Sequence, residues 1–244
     1  MNAETLLKSS VELSVVFPAY NEADALDIAV EKVTKALSEF ARSFEIIIAE
    51  DGSTDGTDKK AVALAEKYPF IKHIHGKKRL GRGTALKNAF KQSIGEVLVY
   101  MDLDLATDLN HLKTLVGAVE FEGYDFSTGS RMLPESNVER SSTRNIASKT
   151  YNFAVRVLLG SKVKDHQCGF KAFRREPLMK LLDEVGATHW FWDTEILVRA
   201  YLRGYKIKEI PVSWRGGRET KVRLLKDSLN MFSQALLLWW NLKV

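Results

Sequence analysis

GEVLVYMDLDLATD, residues 95–108, decides how the rest of the chain is read. Val97, Leu98, Val99, Tyr100 and Met101 make an apolar run rich in β-branched and aromatic residues. Such a run is long enough for a buried strand and too short for a helix of its own. Asp102 and Asp104 follow at once. In an open parallel sheet, ligands gather beyond the carboxyl ends of the strands, so carboxylates placed there stand where chemistry is found. Two hard oxygen donors with only Leu103 between them suit a divalent cation such as Mg2+, which keeps several waters and takes further ligands from a diphosphate. A second reading stays open at this point: Asp102 ends the strand and a neighbouring acid caps the next helix, because Asp favours turns and caps.

Strands and helices alternate on both sides of this run. Residues 12–17 (ELSVVF) read as a strand, which Pro18 stops because proline cannot donate to a ladder. A helix follows with Asn21 as its N-cap, and apolar residues recur at helical spacing through Phe40. Residues 44–49 are a second strand running into EDGSTDGT (50–57), whose acids, hydroxyls and glycines make a loop. A helix over 58–67 and a strand near 70–75 come next. GKKRLGRG (76–83) is then a basic, glycine-bearing turn opening a helix from Thr84 to about Ile94. Its amides and Arg82 are placed to hold phosphate, or else the turn is simply solvated. No Walker loop and no G-x-G-x-x-G after the first strand is present.

Beyond the central acids, residues 109–121 read as helix and 124–130 as a strand ending at Arg131. The alternation predicts a parallel sheet covered on both faces. Farther on come a helix from about Arg144 to Leu159, a pair of extended segments around Gly169 (165–174), and a helix over 176–185. An aromatic cluster at 189–192 precedes a helix over 194–203 and a strand over 205–214. Asp193 and Glu195 stand at the start of the 194–203 helix, either as its caps or as bases toward a hydroxyl acceptor.

Composition bounds the function. The 244 residues are 45% hydrophobic and 27% charged, ordinary for a globular protein with a sizeable core. The net charge of +5 permits an anionic ligand or surface without identifying one, and no nucleic-acid module accompanies it. Cys168 is the only cysteine, so no disulfide framework exists and a reducing compartment is expected. Residues 1–10 carry no apolar core of a secretory signal, and no run approaches the ~20 apolar residues that span a bilayer. The expected location is cytoplasmic, peripheral on the cytoplasmic membrane face. Toward the end of the chain, Val222, Leu225, Leu229, Phe232, Leu236 and Trp240 recur at spacings of three and four. That stripe either packs on the core or meets lipid, with Trp239 or Trp240 presented to the interface.

FPAYNE (17–22), EDGSTDGT (50–57), GRGTALK (81–87), MDLDLATD (101–108), GSR (129–131), QCGFKAF (167–173), WDTEIL (192–197) and IPVSW (210–214) occur in that order across nearly the whole chain. The set resembles the nucleotide-sugar-dependent glycosyltransferases of family two, in the branch of the dolichyl-phosphate glucose and mannose synthases. The resemblance implies a three-layer α/β glycosyltransferase A (GT-A, Rossmann-like) architecture: a mostly parallel sheet, helices on both faces and a C-terminal amphipathic helix. It also implies one domain over 1–244, with a nucleotide-sugar half (about 11–130), an acceptor half (about 131–221) and the terminal helix (222–244).

By the same resemblance Pro18, Tyr20, Glu22, Ala49, Asp51, Arg82 and Leu103 belong to the nucleotide-sugar contacts. Asp102 meets ribose and metal, and Asp104 is the metal ligand proper for Mg2+ or Mn2+. Arg131 lies near the diphosphate; Arg215, Arg218 and Lys221 compete for a basic role after the last strand. The chain departs from the family at Glu50, where Asp is usual, and at Ala106, where mannose synthases often have Gln. The implied activity is inverting transfer of a hexose, glucose from UDP-glucose ahead of mannose from GDP-mannose, to dolichyl or polyprenyl phosphate. Asp104, Arg131 and Asp193 carry the chemistry. The alternatives are a glycan or protein acceptor, or a sugar-nucleotide-binding subunit without catalysis.

Overall fold

The computed structural model describes residues 11–216 and 224–243. Among the described residues seven strands form one sheet: β1 (Leu13–Ala19), β2 (Phe44–Glu50), β3 (Ile71–His75), β4 (Val97–Met101), β5 (Phe126–Ser130), β7 (Phe170–Arg174) and β8 (Ile207–Pro211). Their order across the sheet is β3-β2-β1-β4-β7-β5-β8. Every pairing is parallel except those of β7, which runs antiparallel to both β4 and β5. Two short strands, β6 (Asn137–Glu139) and β9 (Ser213–Arg215), pair alongside.

Alternate residues of each strand enter opposite layers because side chains on a strand alternate faces. Leu13, Val15, Phe17, Ile46, Ile48, Val97 and Val99 pack against α1 (Ala23–Ser38), α2 (Thr57–Lys67) and α4 (Leu112–Glu120). Val16, Ile47, Leu98 and Tyr100 pack against the other helices: α3 (Arg82–Gln92), α5 (Ser142–Leu159), α6 (Arg175–Leu182), α7 (Trp192–Leu202) and α8 (Leu224–Lys243). With both faces covered, β1, β2 and β4 need near-continuous apolar sequence, and they have it.

Several local expectations are corrected, among them the strand over 205–214, which Val212 divides into β8 and β9. Pro18 does not end β1. The carbonyl of Ala19 accepts from the amide of Asp51 (2.9 Å), so Ala19 faces β2 and Pro18 faces the opposite side, where the β4 ladder has already stopped at Val16. A residue with no N–H costs nothing there. Asn21 is not the cap of α1: it sits at φ 53° and its Oδ1 accepts from Thr54 N (2.8 Å), while Glu22 holds the N-cap position. Of 165–174 only Phe170–Arg174 is strand, because the side chain of Asp165 turns back to bind Gln167 N and Arg131. On α8 the stripe docked inward is Met231, Ala235 and Leu238, and Phe232, Leu236 and Trp240 face outward. This helix is apolar on two sides, so spacing alone did not single out the one that meets α5; Val222 lies outside the described residues.

Candidate active site

The carboxyl ends of β1, β2 and β4 open on one cleft of about 890 Å3. Its lower wall is built by the turn after β4. Leu105 closes it by donating its amide to Asp102 O (3.1 Å), and adopts φ 48°, a left-handed conformation that a bulky residue avoids unless its surroundings enforce it. Asp102, Leu103 and Asp104 line the cleft in consequence.

The acids are held in different ways. Asp104 Oδ1 accepts from Ala106 N (3.0 Å), an interaction that leaves its second oxygen to a ligand. Burial, and then the neighbouring Asp102 charge, push its pKa up. Two crowded carboxylates of this kind gain by sharing a cation. Asp102 Oδ1 meets Arg82 Nη1 at 2.5 Å. A Cβ on Gly169 would fall 2.0 Å from Asp102 Oδ2, so the carboxylate occupies space that only glycine leaves, and Gly169 O accepts from Asp102 N (3.2 Å). The donor set is all oxygen, Asp104 Oδ2 has no hydrogen-bond partner among the described residues, and the acids are crowded: these residues fit a hard divalent cation.

Asp51 also lines the cleft, with Oδ1 accepting from Leu80 N (2.7 Å) and Oδ2 from Gly81 N (2.8 Å). It thereby anchors the basic turn to the tip of β2 and brings α3 and Arg82 to the site. Pro18, Tyr20 and Glu22 line the same wall, and Arg79 stacks over the Tyr20 ring at 3.8 Å. Ala49 does not reach the cleft; at 1% exposure it is sealed within β2.

The opposite wall depends on β7. Pairing of Lys171 with Tyr100 places a lysine in the sheet interior. Its Nζ meets Asp193 Oδ1 at 2.9 Å, donates to His166 O at 3.2 Å, and also donates to Cys168 O. Burial drives both partners toward neutrality, lowering Lys171 to about 7 and raising Asp193 to about 7. Asp193 therefore caps nothing: α7 begins at Trp192 with no side-chain cap, and Asp193 points into the cleft between Lys171 and Arg82, whose Nε is 3.8 Å away. Glu195 is turned elsewhere, accepting from Gly186 N, Ala187 N and Arg199.

Arg131 lines the cleft and is clamped by Asp165, which accepts from its amide (2.9 Å), Nε (2.7 Å) and Nη2 (2.9 Å). The guanidinium holds Asp165 far below the ordinary carboxylate range although burial opposes this. Arg140 and Arg144 complete the wall, and neither has a carboxylate partner among the described residues. Burial, then the charge of Arg131, lower the Arg140 pKa to about 10, the mark of a cation without enough negative charge around it.

Arg215 lies outside the cleft: its guanidinium is paired with Glu139 across the small β6–β9 sheet (2.6 and 2.8 Å). Arg218 and Lys221 lie outside the described residues. Lys171, Arg79, Arg140 and Arg144 escaped the reading of the sequence. A lysine within the apolar FKAF of β7 was the available signal, since a charge is buried only when paired.

The profile of the family described as Glycosyl transferase family 2 matches residues 14–182. The chain belongs to this family. It is 48% identical over 238 residues to the glycosyltransferase AglD of Haloferax volcanii, an alignment that takes in 97% of this chain and 38% of that protein. The chain thus spans well under half the length of AglD. It is 32% identical to the dolichyl-phosphate beta-glucosyltransferase of Dictyostelium discoideum, over 96% of this chain and 78% of that one. The solved glucosyl-3-phosphoglycerate synthase of Mycobacterium tuberculosis, in complex with Mn2+, UDP and glucosyl-3-phosphoglycerate, superposes with a TM-score of 0.71 at 22% identity. That match covers 95% of this chain and 81% of the other. At that identity the likeness speaks for the GT-A fold, which the sheet and flanking helices of this family member share.

Proposed function

We propose that this protein transfers a hexose, with inversion, from a nucleoside-diphosphate sugar to a polyprenyl or dolichyl phosphate. One observation carries the reading: the acid pair at the end of β4 lines one cleft with Arg140 and Arg144, which have no carboxylate partner among the described residues. The cleft thus offers groups for a cation and for an anionic ligand side by side. The dolichyl-phosphate glucosyltransferases among its relatives support a lipid phosphate acceptor and a glucose donor. Ala106, in place of the Gln common in mannose synthases, supports UDP-glucose over GDP-mannose. The Mn2+ and UDP held by the mycobacterial neighbour support a divalent cofactor.

Pro18, Tyr20, Glu22, Asp51 and Leu103 form the donor wall, and Asp102 and Asp104 hold the cation. When bound, Mg2+ or Mn2+ supplies Lewis-acid stabilisation of the departing diphosphate. Arg82 and Arg131 sit in the same cleft, oriented by Asp102 and Asp165, and their fixed charges offset the negative charge that grows there. Arg140 and Arg144 bind the acceptor phosphate. A phosphate monoester has a second pKa near ~6, so its oxygen is already anionic at neutral pH and attacks with little help. Asp193, held by Lys171, takes up the proton of the monoanionic fraction.

The lipid tail then needs an apolar path. Helices α5 and α8 pack side by side, and each presents exposed apolar residues: Ile146, Phe153 and Val157 on the first, Phe232, Leu236 and Trp240 on the second. None of the described helices is long and apolar enough to cross a membrane, so these faces are read as resting on a lipid surface. The test is a donor screen with UDP- and GDP-sugars, Mn2+ or Mg2+, and a polyprenyl phosphate. The expected product is lipid-linked glucose with inverted anomeric configuration. Transfer confined to a glycan or peptide, or donor binding without turnover, would overturn the reading.

A further inference from the structure

We propose a second cation site, separate from the acid pair, formed by Glu50, His73 and His75 at the edge of the sheet and suited to a borderline transition-metal ion such as Zn2+. His73 and His75 are two residues apart on β3 and so share one face, and β3 is an edge strand. β2 pairs with it in a register that sets Glu50 opposite His75. Each of the three residues offers a ligand atom, and these atoms lie within 4.8 Å of one another.

The surroundings favour a ligand. The side chain of Glu50 has no exposure, and among the described residues its hydrogen bonds come from the Ser53 amide and from His75 Nδ1 at 2.6 Å. His73 Nε2 is buried without a hydrogen-bond partner among the described residues. His75 is 50% exposed, so an ion can enter from solvent and keep a water in its open position. Competing cations are directed away, since Lys72 Nζ reaches Gln92 O and Glu45. Asp58 adds a further negative charge facing His73. Two imidazoles and one carboxylate suit Zn2+, whose ligands lie about 2.0–2.2 Å from the metal. The all-oxygen pair Asp102 and Asp104 selects instead for Mg2+ or Mn2+.

The departure noted at Glu50 acquires a reason here: the extra methylene carries the carboxylate to β3. Glu50 also accepts from Ser53 N, Ser53 Oγ accepts from Asn21 N (3.0 Å), and Asn21 lines the cleft. An ion on Glu50 would tie the β2–α2 loop, and with it the cleft rim, to the edge strand. This inference stands whether or not the transfer reaction is as proposed.

The experiment uses the full chain without an affinity tag, in excess Mg2+ to occupy the oxygen site. Zn2+ is titrated calorimetrically, and Co2+ serves as the optical reporter. One equivalent of Zn2+ should bind despite the Mg2+ and raise the thermal midpoint, and Co2+ should develop visible absorption from nitrogen ligation. His75→Asn and His73→Asn should each weaken Zn2+ binding at least tenfold and remove the thermal shift, while Asp104→Asn should leave both unchanged. His75 is half exposed, so its variant keeps the fold and decides the matter even if His73→Asn does not fold. Zn2+ binding that survives His75→Asn, that disappears with Asp104→Asn, or that Mg2+ abolishes would overturn the site.

Discussion

The two walls of the cleft restrain their charges by opposite means. On the β1–β2–β4 side acids are held largely by backbone: Asp51 by the amides of Leu80 and Gly81, Asp104 by that of Ala106. Neutral donors orient a carboxylate and leave its charge in place. On the β7–α7 side charges hold each other, Arg131 with Asp165 and Lys171 with Asp193. Those pairs are oriented by each other, and Arg140 and Arg144 are the cations of this wall with no carboxylate partner among the described residues. On the proposed reading one wall takes the cation and the other the phosphate, although the cleft as a whole carries both signs. What would direct a ligand is then which charges are left without a partner, more than how many line the site.

The largest effect should follow from removing the charge that backbone amides leave in place. Asp104→Asn keeps shape and most hydrogen bonding, so it should fold normally and lose transfer by on the order of 10^3-fold, an effect comparable to removing a principal electrostatic contact to the transition state. Initial rates at saturating Mn2+ check it; a variant within tenfold of the parent would remove the cation from the mechanism.

On the other wall the largest effect should be on stability. Lys171→Met leaves the buried Asp193 with Arg82, 3.8 Å away, as its remaining cation, and breaking one partner of such a pair costs up to about 3–5 kcal/mol. Urea unfolding should show that loss for Lys171→Met and recover much of it in Lys171→Met with Asp193→Leu. Equal destabilisation by the single and double variants would mean that the two side chains do not hold each other as described.

Acid should separate the walls as well. The folded pKa of Asp165 is depressed by Arg131, so its contribution is fully present above the unfolded value near ~4 and is lost as pH falls below that value. The paired variant Arg131→Met with Asp165→Leu should flatten the stability profile below ~4, as followed by urea midpoints at successive pH values. Arg140→Met should act differently, raising the acceptor KM roughly ten- to hundredfold, in line with the 1.5–3 kcal/mol of a charged hydrogen bond, while the donor KM holds. A change in the donor KM alone would reassign Arg140 to the nucleotide.

The asymmetry also explains what was legible beforehand. The first wall lies in short local segments, strand tip plus turn, so Asp102 and Asp104 could be placed from the apolar run they follow, while the role of Asp51 comes from the family resemblance. On the other wall the sequence points to Arg131 and Asp193, but their partners lie far off along the chain: Asp165 for the first and Lys171 for the second. No periodicity reports that β7 enters the sheet antiparallel between β4 and β5, which is the event that brings those pairs together. Arg215 misled for a related reason. Its position after the last strand is right for the cleft, but Val212 breaks the predicted strand and the new one, β9, turns the side chain to Glu139.

The smallest effect belongs to the outward face of α8. Trp240 is 64% exposed on the outward side of α8, away from the buried Met231, Ala235 and Leu238. Removing it should leave folding intact, because surface substitutions far from buried features stay within about 0.5 kcal/mol. If α8 rests on lipid, Trp240→Ser reduces partition to anionic vesicles by a few fold and slows transfer to a long polyprenyl phosphate. Transfer to a short, water-soluble phosphate acceptor is unchanged, because Arg140 and Arg144 still hold the headgroup. Flotation together with the ratio of the two transfer rates separates the contributions. A loss that is equal for both acceptors would place Trp240 in the architecture of the cleft, and the phosphate would then be recognised without any help from the membrane.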